Sequence, residues 1–254
     1  GLQWRYPAEA RALLAFEDEQ IDGWRYSSCF ITTEEEKFSP GECLRIDPQR
    51  RNVLLLGDSH AAHLRSGIED VYPETNVLQA TGCTAILGSA PESHCAELRR
   101  ATFGEFLPKH RMDAIIVSQS WFEDERDVAR IAATVAYLRR FSSDVVILGP
   151  TPLFDRPEPD LLAFDRRFGT NFSPRHLVRE IPKLDTRMER LARDQGWAYI
   201  SGYKALCGSE CLLYAAPGTP LYRDDSHFTV AGSRMFAEHL LGPDALRTRA
   251  PVRR

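Results

Sequence analysis

The stretch Val53–Leu64, VLLLGDSHAAHL, constrains this chain more than any other. Four consecutive apolar residues are too few for a helix of their own and suit a strand buried on both faces. Gly57 and Asp58 end that run. After Ser59 the apolar spacing turns helical, with Ala61, Leu64, Ile68 and Val71 on one face. A strand that gives way at once to a helix opens a βα unit, so an α/β architecture with parallel strands is expected. Ser59 then stands at a strand's carboxyl end, where ligands bind in open α/β sheets. It also stands at a helix start, whose free N–H groups favour negative charge. A serine hydroxyl placed there can attack a carbonyl, but it needs a base, because neutral serine is a poor nucleophile.

The candidate base lies far along the chain. Tyr222–Gly232 reads YRDDSHFTVAG, with Asp224 three residues before His227. A carboxylate at that spacing on a turn can reach back to the imidazole, fix its tautomer and stabilise the imidazolium that forms when it takes the serine proton. The order Ser, Asp, His is one of several that build the same geometry. Asp225 is the other acid available, but adjacent residues point in different directions and the spacing of three favours Asp224. The plain structural alternative is a helix-capping Ser59 and a solvated acidic turn.

Gly57-Asp58-Ser59-His60 near the start and Asp224-x-x-His227 near the end resemble the SGNH (GDSL-like) hydrolase superfamily over roughly Asn52 to Leu241. The GDSH form, Thr81-Gly82-Cys83 and the local cysteine pairs are most similar to one branch. That branch is the periplasmic SGNH domain fused to integral-membrane acyltransferase-3 proteins, which O-acetylate bacterial surface polysaccharides. The resemblance implies a three-layer α/β/α sandwich with a central, mostly parallel five-stranded sheet of flavodoxin-like type, plus an N-terminal extension. It implies Ser59, Asp224 and His227 as catalytic residues and the N–H groups of Ser59 and Gly82 as oxyanion donors. Most members carry G-x-N where this chain reads Ser118-Gln119-Ser120-Trp121. Gln119, with the same amide on a longer arm, is the candidate substitute, and the acyltransferase-linked branch commonly lacks the asparagine. Trp121 either lines the acceptor site, since sugars pack on aromatic faces, or packs in the core.

The activity implied is O-acetyl transfer through a serine acyl-enzyme to a sugar hydroxyl of a surface polysaccharide such as a lipopolysaccharide O-antigen. A periplasmic carbohydrate acetylesterase and a non-catalytic carbohydrate-binding module are the alternatives. By the same resemblance the acetyl donor is ultimately acetyl-CoA, reached through an acyltransferase-3 membrane domain N-terminal to Gly1. No bound cofactor and no metal are implied, and the site is the periplasmic face of the inner membrane.

Composition adds exclusions. A net charge of −4 leaves no nucleic-acid footprint, and no apolar run approaches a membrane span. The six cysteines fall into near neighbours: Cys29 and Cys43, Cys83 and Cys95, Cys207 and Cys211. Even number and close spacing suggest three local disulfides in an oxidising compartment. Reduced core cysteines of a cytosolic enzyme are the competing reading, and the absence of any C-x-x-C pair disfavours zinc.

Three segments are expected: an extension over 1–51 packing on the core, a catalytic domain over 52–245 and a basic tail over 246–254. Within them, strands are expected at Asn52–Leu56, Asn76–Ala80, Asp113–Val117, Asp144–Leu148 and Trp197–Ile200. Helices are expected at Arg11–Gln20, Ala61–Val71, Asp127–Phe141 and Leu184–Gln195, with weak helical character over Glu97–His110. Thr229 should cap a final helix. Leu153–Pro182 shows little period and reads as an insertion at the active-site mouth, a substrate lid whose Phe154, Phe164, Phe168 and Phe172 anchor it to the core. His60 belongs to the nucleophile motif and shapes its turn.

Overall fold

The computed structural model describes residues 6–88, 93–121 and 125–240; Trp4 and the basic tail expected over 246–254 lie outside them. Five parallel strands form the central sheet: β1 (Arg51–Gly57), β2 (Thr75–Thr81), β3 (Ala114–Ser118), β4 (Val145–Leu148) and β5 (Ala198–Ile200), in the order β2-β1-β3-β4-β5. Each expected strand is present to within a residue or so. The apolar run of β1 has its explanation in its position. It is central, so Leu54 and Leu56 enter one core layer with Leu78, Ile115 and Val117, while Val53 and Leu55 enter the other with Ala114 and Ile116. Helices at Cys95–Arg99, Glu125–Leu138 and Ile181–Gln195 cover the first face; Arg65–Val71 and Val230–Leu240 cover the second. The fold is therefore the α/β/α sandwich. Chain order reverses at β1, with β2 on one side and β3 on the other, and such a switch point opens a crevice at the strands' carboxyl ends.

Three expectations need correction. The single helix Ala61–Val71 is two pieces, Ser59–Ala62 and Arg65–Val71. A tight bond from Leu64 N–H to the Ala61 carbonyl (3.1 Å) separates them. The second piece docks on the final helix, where Gly67 N–H donates to Ser233 Oγ (3.0 Å).

Leu153–Pro182 is not an unstructured lid. It holds a helix, Glu158–Phe168, closed by Gly169 in the left-handed conformation. The helix buries Leu162 and Ala163 against Ala10, Leu13 and Leu14 of the N-terminal helix Ala8–Leu14. That apolar stripe is narrow, and four prolines in 150–159 obscure it in the sequence. Of the four phenylalanines only Phe154 is buried; Phe164, Phe168 and Phe172 are exposed and pack on one another. The segment underpins the far loop of the site: Phe154 N–H donates to the Asp225 carbonyl and Glu158 N–H to the Asp224 carbonyl, both at 2.9 Å.

The expected helix Arg11–Gln20 is instead Ala8–Leu14 followed by a 3-10 turn, Ala15–Asp18. Beyond it the extension enters the main core. Cys29, Ile31, Phe38, Cys43 and Leu44 pack in the first layer. Cys29 and Ile31 bond to Thr81 at the end of β2, with Thr81 N–H to Cys29 O at 3.0 Å and Ile31 N–H to Thr81 O at 3.1 Å. All three expected disulfides are formed: Cys29–Cys43, Cys83–Cys95 and Cys207–Cys211. No helix among the described residues is long and apolar enough to cross a membrane.

Candidate active site

The chain turns sharply after β1 because Gly57 adopts φ +139°, a backbone state that L side chains rarely enter. Asp58 then caps the short helix Ser59–Ala62: its Oδ1 accepts from His60 N–H (2.8 Å). Its Oδ2 accepts from Ser120 N–H (2.8 Å), across the crevice. One carboxylate thus ties the turn after β1 to the turn after β3. Burial pushes the Asp58 pKa up to about 6, against the pull of these two amides. This brace was not anticipated from the sequence, although an Asp ahead of a helix start was the available signal.

The second turn is built around Asp224. Its Oδ1 accepts from the N–H groups of Ser226 (2.9 Å) and His227 (2.7 Å), a local turn of the kind Asp favours. Its Oδ2 lies 2.8 Å from His227 Nδ1, and His227 Nε2 lies 2.7 Å from Ser59 Oγ. Residues 165 and more apart in sequence thus meet in one chain of hydrogen bonds. Burial alone would raise the Asp224 pKa, but the His227 ring and the two amides outweigh it and hold the carboxyl below its usual range. An ionised Asp224 requires the proton on Nδ1, which leaves Nε2 free to accept from the serine. Asp225 is exposed and takes the Ser226 hydroxyl instead. Tyr222 and Phe228 stack beneath the turn, and Thr229 Oγ1 caps the final helix at Gly232 N–H (2.9 Å).

The amides of Ser59 and Gly82 have no protein partner among the described residues. Gly82 has φ +94°, and a Cβ there would sit 2.0 Å from the Ile31 carbonyl oxygen, so only glycine fits beside the extension. Its neighbour Cys83 donates to the Gly57 carbonyl (3.2 Å) and is bridged to Cys95. A His94 ring nitrogen lies within 4.8 Å of both sulfurs, but their disulfide leaves no thiolate for a metal. Gln119 Oε1 accepts from Thr84 Oγ1 (3.1 Å) and Ala85 N–H (3.3 Å). A backbone N–H can only donate, so the carbonyl end of Gln119 is committed to this loop and its NH2 end is the part left to face elsewhere.

Trp121 does not line an acceptor surface. It is 2% exposed and its indole N–H donates to the Leu148 carbonyl (2.7 Å), so it is a core residue tying β3 to β4.

Removing the Cys83–Cys95 bridge with Cys83→Ser and Cys95→Ser is expected to cost about 3 kcal/mol of stability. It should also lower ester hydrolysis by more than the loss of folded protein explains, because Gly82 is no longer held. Denaturant melts and rates at matched folded fractions check both.

Trp24 was not anticipated either. It comes from a segment without period and places its indole edge-on to His227, ring centroids 5.2 Å apart. His60 and His63 complete the wall, 5.1 and 6.0 Å from the His227 ring. Burial, then the neighbouring His227, pushes the His60 pKa down to about 3. Burial, then His60 and His227, pushes His63 well below its usual value. Both flanking imidazoles are therefore neutral near pH 7, and His63 Nδ1 accepts from Phe228 N–H (3.3 Å).

The family model described as "SGNH domain (fused to AT3 domains)" matches residues 28–242. Among solved structures, the periplasmic domain of a lipopolysaccharide acetyltransferase from Salmonella ser. Paratyphi A superposes with a TM-score of 0.73 at 18% identity, covering 94% of this chain and 97% of that one. An acetylxylan esterase from Geobacillus stearothermophilus superposes with a TM-score of 0.47 at 14% identity, covering 78% of this chain and 97% of that one. The first likeness is one of fold, and the second is too loose to carry an argument. No curated protein sequence matches significantly.

Proposed function

The chain belongs to the family of SGNH domains fused to AT3 domains, and from that premise we propose that it transfers an acetyl group through Ser59 to a sugar hydroxyl of a cell-surface polysaccharide. The observation that carries this reading is the continuous Asp224–His227–Ser59 hydrogen-bond chain at the sheet's switch point. In the first step His227 Nε2 takes the Ser59 proton as Oγ adds to the donor's acetyl carbonyl. The oxyanion meets the amides of Ser59 and Gly82, each such donor being worth about 3 kcal/mol, with the Gln119 NH2 as the third. Collapse expels the donor's leaving group, which takes the proton from His227 and leaves an acetyl ester on Ser59. In the second step His227 removes a proton from the sugar hydroxyl, which attacks the ester, and the proton returns to Ser59 Oγ.

All of the groups in these steps are side chains and amides of this chain, with no metal or bound cofactor. The fused AT3 domain is the source of the acetyl group, drawn ultimately from acetyl-CoA, and the polysaccharide acceptor places the reaction on the periplasmic face of the membrane. Water in place of the sugar gives ester hydrolysis from the same groups, so the domain should show esterase activity when no acceptor is present.

The test is hydrolysis of p-nitrophenyl acetate and transfer of its acetyl group to O-antigen polysaccharide, with Asp224→Asn as the probe of the hydrogen-bond chain. That variant should lower both rates by about four orders of magnitude, since Asn favours the wrong His227 tautomer. Equal rates in the two proteins would sink the mechanism. Hydrolysis with no transfer to any polysaccharide would make the domain an esterase.

A further inference from the structure

With Trp121 buried, the aromatic side chain that faces outward near the site, joined to His227 through Trp24, is Tyr26, 47% exposed. It sits in a tight turn in which the Arg25 carbonyl accepts from Cys29 N–H (3.0 Å) and Phe30 N–H (3.1 Å), and the Cys29–Cys43 disulfide pins the turn's far end. Arg25 and Ser27, with φ +58° and +57°, are the two non-glycine residues in the left-handed region among the described residues, and they flank Tyr26. Such backbone strain persists only where the surroundings enforce it, and it clusters at sites with a task.

What the strain achieves is a presentation. The Tyr26 ring lies parallel to the Trp24 indole (centroids 5.9 Å, planes 7° apart), with the Phe30 ring edge-on at 4.8 Å. Trp24, in turn, meets His227 edge-on at 5.2 Å. Tyr26 is thus the outer, wet member of an aromatic stack whose inner member touches the candidate base. The adjacent Arg25 borders a cleft of about 370 Å³ that Arg45, Arg65 and Asn76 line together with the carboxylates of Glu42 and Asp47, and Arg25 itself lies 3.9 Å from Glu42. Burial of the ring does not account for this arrangement, because nearly half of Tyr26 stays exposed.

We propose that Tyr26 is the platform on which a pyranose ring of the acceptor stacks, its apolar C–H face on the phenol, so that a hydroxyl of that residue or the next reaches His227 Nε2. This rests on the acyl-transfer reading above. A flat ring with only two side-chain torsions gives contact area at low entropic cost, and a phenol adds one hydrogen bond at the rim.

The test uses the full chain carrying Ser59→Ala, which binds without turnover, titrated by NMR with tetrasaccharides of rhamnan, mannan and galactan. At least one should bind, and Tyr26→Ala should weaken it about tenfold or more, the scale of one lost stacking contact. Tyr26→Phe should stay near the Tyr26 protein. Tyr26→Leu, which keeps apolar contact with Trp24 but has no flat face, should fall with the alanine variant, so a folding defect in one does not decide the matter. Equal affinity in all four proteins overturns the platform, as does failure of every tetrasaccharide to bind. In that case the exposed ring serves as a contact for another protein surface. Tyr26-dependent binding, with no acetyl transfer by the protein that keeps Ser59, would refute the proposed reaction and leave the platform standing.

Discussion

Ser59→Ala is expected to abolish turnover, lowering both p-nitrophenyl acetate hydrolysis and acetyl transfer by about four to six orders of magnitude. The size follows from the mechanism. Without Oγ no acyl-enzyme forms, and what remains is the oxyanion donors acting on direct attack by water. The fold should be indifferent. Ser59 Oγ makes its hydrogen bond to His227, the helix cap is Asp58, and the Ser59 amide stays in place. A melting temperature near that of the unmutated protein, with background rates, is the expected pair of results. Retained activity in the alanine protein would place the nucleophile elsewhere.

Gly57→Ala should be nearly as severe for a different reason. A Cβ at Gly57 would lie 1.6 Å from the Ser118 carbonyl oxygen, and the residue's φ of +139° disfavours any side chain. Both partners are backbone in adjacent central strands, so neither can rotate away. The strands must separate, and the paired register of Gly57 with Thr81 and with Ser118 is lost at the point that positions Ser59. A cost above about 4 kcal/mol is expected, a large share of the stability of an ordinary domain. Gly104→Ala is the control, since a Cβ there meets nothing within 4 Å. Chemical denaturation of the two variants should show Gly57→Ala unfolded or aggregated and Gly104→Ala close to the unmutated protein. Comparable melting midpoints would show that the sheet yields at this point.

The two predictions differ in how far their grounds could be read from the chain alone. The Gly-Asp-Ser-His turn and the Asp-x-x-His turn announce themselves, because a turn is a local object and its residues are neighbours in sequence. The strands are legible for the same reason: an apolar run of four or five residues between breakers has few other uses. The helix Glu158–Phe168 is harder to see. Its two phenylalanines, Phe164 and Phe168, face solvent, so the period that marks an amphipathic helix is blurred.

The family assignment, the parallel α/β class and the three cysteine pairings follow from local patterns and short spacings, where the chain's own stiffness limits the outcomes. Other features were settled only by folding. Among them are the burial of Trp121 under β4, the arrival of Trp24 at the His227 ring with Tyr26 stacked behind it, and the brace from Asp58 to Ser120. So too is the carbonyl of Ile31 that makes Gly82 irreplaceable. Each of these joins residues tens to hundreds of positions apart, and no periodicity encodes such a pairing. Their partners are chosen by which surfaces meet when the strands' turns converge and the extension packs against them.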